Sequence, residues 1–150
     1  MKKVFNISKL LLLVSFMLVG FNMQAADCSK ATDKFCEAMS RVTKQVKLCK
    51  DFNDFTNLDF NGAINSVDFS DVPDECANAP LTATDKTKIK NSCNSFFDAM
   101  VDKTYELAGG MISKADINAQ FAPMRSMLEK AINQSSTLNE LGVNMSKMSF

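Results

Sequence analysis

Apolar residues recurring at helical spacing are the feature that most constrains this chain. Phe35, Met39, Val42, Val46 and Cys49 follow one another at steps of four, three, four and three. At about 3.6 residues per turn, those steps put all five on one face. Lys34, Glu37, Arg41, Lys44 and Lys47 fall between them and can face water. The spacing predicts a helix over 29–49, with Cys36 flanking its apolar face. A second stripe of Ile89, Cys93, Phe96, Met100 and Leu107, widened by Phe97 and Val101, predicts a helix over 84–108. Gly109 and Gly110 end it, because glycine readily takes the left-handed cap conformation.

A third stripe runs through Ile117, Phe121, Met124, Leu128 and Ile132. It opens at Ser113, where Ser113 and Asp116 form a pair like a capping box. Ile112 and Ile117 hold the two hydrophobic-staple positions. The stripe is expected to continue through Leu138 and Leu141 and to stop at Gly142. Pro123 sits inside it and lacks an N–H, so a kink or a fresh helix start is expected there. No segment alternates with the period of a strand. The expected fold is all-α: a small bundle of three to four amphipathic helices. The two-glycine connection makes the second and third helices antiparallel neighbours. The direction of the first is open, because its connection is long.

That connection, 51–82, changes character. It has no Lys or Arg, and seven acids lie between Asp51 and Glu75. Phe52, Phe55, Leu58, Phe60, Ile64, Val67 and Phe69 run through it. Disordered segments lack such aromatic content. A long acidic, aromatic-containing connection that packs through short helical turns is expected, tethered by Cys76.

Ahead of these elements stands a leader. Lys2, Lys3 and Lys9 begin it without an acid, an apolar run follows from Leu10 to Phe21, and Ala25 and Ala26 close it. That order is the pattern of a secretory signal peptide over 1–25, cleaved after Ala25 or Ala26. The run is short for a span, which needs about 20 apolar residues. Residues 26–150 would then form a single helical domain with a short C-terminal tail, in a periplasm or outside the cell. Membrane contact is expected only during export.

The chain has 17 basic and 17 acidic residues, but three of the basic ones lie in the leader, so the mature part is acidic by three charges. Nothing in it forms a basic patch for nucleic acid. All five cysteines fall in the mature part. An oxidising compartment favours disulfides, and an odd count leaves one thiol over. Cys36, Cys49, Cys76 and Cys93 are the candidate bridging residues. The leftover thiol could link two chains into a dimer.

The chain holds no histidine. Serine triads, cysteine–histidine dyads, histidine zinc sites and histidine general bases are therefore excluded. No Gly-rich phosphate loop appears. No catalytic residue and no cofactor are implied.

Three further patterns bear on function. Residues 57–68 read N-L-D-F-N-G-A-I-N-S-V-D. Alternating oxygen side chains before a glycine turn can wrap a hard cation. The segment resembles an EF-hand or dockerin-type calcium loop, with Asn57, Asp59, Asn61, Gly62, Asn65 and Asp68 at the first, third, fifth, sixth, ninth and twelfth positions. The resemblance is confined to 57–68, and it implies a calcium-stabilised module. The competing reading is an Asn/Asp turn over a buried Ile64. Met124 with Met127, and Met145 with Met148, are spaced to ligate Cu(I), and the tail pair is expected to be the more exposed. Against that, methionine is a common core filler. Finally, the phenylalanines of the connection could anchor a partner or form the domain's own core. Taken together, these readings favour a non-catalytic binding module whose partner is another protein.

Overall fold

The computed structural model describes residues 28–148. The expected leader and its cleavage positions lie outside the described residues. Each predicted stripe becomes the buried face of a helix. Helix α1 is Ser29–Leu48, and it buries Val42 and Val46 while Phe35 and Met39 pack at the edge of the core. Two short helices follow, α2 (Phe52–Thr56) and α3 (Phe60–Asn65), then a 3-10 turn at Asp74–Asn78. Helix α4 (Ala83–Leu107) buries Ile89, Cys93, Phe97, Ala99 and Val101. Helix α5 (Lys114–Gln134) buries Ile117, Leu128, Ala131 and Ile132, and α6 (Leu138–Ser146) buries Leu141. The described residues are all-helical, with six α-helices and no strand. None of these helices is long and apolar enough to cross a membrane.

The direction of α1 is now fixed. Lys88 Nζ meets Asp33 Oδ1 at 2.8 Å, the Cys36 thiol is hydrogen-bonded to Ser92, and the charge of Lys103 reaches Cys49. Residue numbers rise together along the interface, so α1 and α4 run parallel. Between α4 and α5 they run oppositely. Lys86 donates to the Asn133 carbonyl at 3.0 Å, Arg125 pairs with Asp98 at 2.7 Å, and Lys114 pairs with Asp102 at 2.7 Å. That antiparallel turn is made by Gly109 and Gly110, at φ 59° and 75°.

Parallel neighbours explain the long connection. A 20-residue helix is about 30 Å long, and the chain must travel back along it before α4 can start. The return path is visible in its ties to α1. Arg41 donates to the Ser66 carbonyl at 2.7 Å, Lys30 pairs with Asp71 at 3.3 Å, and Cys76 is bridged to Cys28. Phe60 of α3 also meets Phe96 of α4 edge-on, with centroids 6.3 Å apart.

Three expectations need correction. Pro123 does not restart α5, which runs through it as one helix. The N–H it lacks would have bonded the carbonyl of Ala119, and both residues are exposed, so water can serve that carbonyl. The third stripe does not continue unbroken to Leu141. The chain leaves helix at Ser135–Thr137, and the Thr137 hydroxyl caps α6 by accepting from Glu140 N–H at 3.1 Å. Gly142 lies inside α6 rather than ending it.

Candidate functional site

Residues 57–68 fold as a cap between helices. Asn57 ends α2, Asp59 caps α3, and residues 60–65 are helical. Asp59 Oδ1 accepts from Gly62 N–H at 2.8 Å, and Asp68 Oδ1 accepts from Ser70 N–H at 2.9 Å. Each carboxylate is engaged locally, in a different turn. Gly62 has a clear role: a Cβ there would run into the capping carboxylate of Asp59. Ile64 is half-buried, while Ala63 and Val67 are buried. Among the described residues no three acids or cysteines stand close enough to hold a metal.

The methionine pairs are placed the other way round from expectation. Met145 and Met148 pack against the core, whereas Met127 is 41% exposed. Short α6 folds the tail back onto α5, which partly buries the residues that spacing alone left outside.

The cysteines divide sharply. Of the four candidates, Cys76 is bridged, and its partner is Cys28, outside that group. The Cα atoms are 5.2 Å apart, because the returning connection reaches the start of α1 at this point. Cys36, Cys49 and Cys93 carry free thiols. Burial pushes the Cys93 thiol up to about 12. It raises Cys36 too, against the hydrogen bond with Ser92 and the charge of Lys88. Burial also raises Cys49, helped by Asp54 and opposed by Lys103. None of the three is an activated nucleophile, which would need a lowered value.

Among the described residues, two of the surface clefts hold polar side chains. The first, about 420 Å³, lies between α4 and α5 and is lined by Asp98, Asp102, Lys114, Asn118 and Arg125. Its charges are paired with one another. The Asp102 hydrogen bond holds the Lys114 ammonium above its ordinary value, so it is a cation and not a base. Arg125 stacks over Phe97, with 5.3 Å from its guanidinium carbon to the ring centroid. Its Nε is buried without a hydrogen-bond partner. The second cleft, about 330 Å³, surrounds the disulfide and is lined by Ala79, Pro80, Leu81, Thr82, Asp85 and Leu138. In the second cleft the Thr82 hydroxyl donates to the Asp85 carboxylate at 2.8 Å, and both belong to the cap of α4.

A different feature stands out at the end where α1 and α4 finish and α5 begins. Leu48 is 67% exposed, Phe52 50% and Met111 87%, with Ile112 and Tyr105 also open to solvent. Lys44, Lys47 and Leu48 share one face of α1 by their spacing. Lys44, Lys47 and Lys50 are exposed, and no ion pair is formed by them among the described residues. Stripe reasoning passes over Leu48 and Met111. The available signal is Leu48 itself, which falls outside the four-three-four-three stripe and follows the lysines at 44 and 47.

Comparison with protein-family models, with curated proteins and with solved structures finds no match to this chain.

Proposed function

We propose that this chain is an exported, non-catalytic binding module, a small helical bundle with an acidic connection, that docks another protein. The observation that carries the reading is the apolar end: Leu48, Phe52, Tyr105, Met111 and Ile112 are exposed where α1 and α4 finish and α5 begins. Large apolar side chains gathered at one place mark interaction sites more often than scattered ones do. Aromatic residues there are the usual anchors of an interface. The lysines around Leu48 give the partner a chemistry: an apolar pocket with an acidic rim. The paired charges of the α4–α5 cleft support structure rather than turnover.

The test uses protein recovered from its own cells. Its mass reports export, by the loss of the leader through Ala25 or Ala26. Cross-linking in those cells then compares the parent with Leu48→Asp/Phe52→Asp. The double variant is expected to keep its helical melt and to lose the partner bands, which should also weaken with salt in the parent. Identical partner bands in parent and folded variant would sink the docking surface. Turnover of a substrate that tracks the pure protein would overturn the non-catalytic reading.

A further inference from the structure

Two of the three free thiols lie in the same interface. The Asp33–Lys88 pair sets the register between α1 and α4 at a sequence offset of 55. Both helices rise by about 1.5 Å per residue, so that offset brings Cys36 level with Asn91. Cys93 is then only about 3 Å further along the axis. The hydrogen bond between Cys36 and Ser92, the chain neighbour of Cys93, agrees with this register. Cys36 packs against the core cluster to which Cys93 belongs. The thiols also feel each other electrostatically. Small side chains make the cross-helix contacts on either side of this level, Thr32 to Asp85 and Ser92 to Cys36, which lets two helices approach closely. A disulfide usually joins Cα atoms about 4.4–6.8 Å apart, a separation that close helix packing provides.

Cys49 cannot serve either of them. It stands at the far end of α1 from Cys36, about 20 Å along the axis. Its neighbour across the interface is Lys103, well past Cys93 on α4.

We propose that Cys36 and Cys93 are a second bridging pair, which joins α1 to α4 through the core and leaves Cys49 as the single thiol. The oxidant is a disulfide, either a small one such as oxidised glutathione or that of a thiol oxidoreductase. Cys36 is the more accessible thiol, so its thiolate attacks one sulfur of the oxidant and expels the other as a thiolate. Cys93 then loses its proton and attacks the Cys36 sulfur, expelling the second thiolate. Two electrons and two protons pass from the protein to the oxidant, which leaves as two thiols.

The test needs no variant. The full chain is equilibrated with oxidised glutathione, denatured without reductant, alkylated and digested with trypsin. Cys36 falls in peptide 35–41, Cys93 in 91–103 and Cys49 in 48–50. The expected result is a cross-linked pair of 35–41 with 91–103, and alkylation of 48–50 alone. Cys49→Ser should give the same cross-link, with no alkylated cysteine left. Alkylation of both Cys36 and Cys93, with Cys28 and Cys76 still joined, would overturn the proposal. So would a cross-link from Cys36 to any residue other than Cys93. The chemistry is read in vitro, so failure of the export or docking proposals leaves its outcome unaffected.

Discussion

At the start of α4 the Thr82 N–H and hydroxyl both donate to the Asp85 carboxylate, at 2.9 and 2.8 Å, and Asp85 N–H returns a bond to the Thr82 hydroxyl oxygen at 3.1 Å. The buried Thr32 of α1 also bonds that carboxylate. Burial works to raise its proton affinity, but the hydrogen bonds outweigh this and hold Asp85 below the ordinary value of 3.8. A lowered folded value means that Asp85 contributes stability above about pH 4, and that this is lost as pH falls through the folded value. Asp85→Ala is expected to cost about 1–2 kcal/mol at pH 7, as lost caps do. The gap between parent and variant should narrow below pH 3.8, read by urea unfolding at pH 7 and pH 3. The sequence places the start of α4 at 84, within a residue of the structure, yet it does not reveal this box. Thr82 reads as loop, and Thr32 becomes visible only once α1 is known to lie alongside.

Helix α5 carries a proline in its interior, where one normally costs about 3 kcal/mol. The exposed Ala119 carbonyl loses only a bond that water replaces. Pro123→Ala should therefore restore that bond and stabilise the protein by about 1–2 kcal/mol, part of the gain being offset by a freer unfolded chain. A thermal melt checks it, and an unchanged or lower midpoint would show that the proline shapes α5. At this scale the long helices are legible, because stripes such as Ile89, Cys93, Phe96 and Met100 repeat over several turns. Their ends are less so: Gly142 reads as a stop in isolation, but Leu141 and Met145 hold α6 against the core on either side of it. Short α2 and α3 span too few turns for periodicity to show.

For the whole molecule, the Cys28–Cys76 bridge closes a sequence separation of 48. Loop-closure entropy for that length is worth about 4 kcal/mol, and measured bridges typically deliver about 2–4 kcal/mol. Cys28→Ala/Cys76→Ala should lower stability by about that amount in urea unfolding. Reductant should lower the parent by about that amount more than it lowers the variant, in which only the proposed Cys36–Cys93 bridge is left to reduce. The pairing itself is not legible in the sequence, since five cysteines allow many patterns and the parallel course of α1 and α4 decides among them. That course also sets an order of events. A chain delivered N-terminus first presents α1 before anything that can cover its apolar face, and α4 arrives only after the whole connection has passed. Cys28 meanwhile meets Cys36 and Cys49 before Cys76 exists as a partner. The earliest thiol to appear must wait for the fourth, so the correct crosslink records the completed return of the chain, not the sequence in which its cysteines emerged.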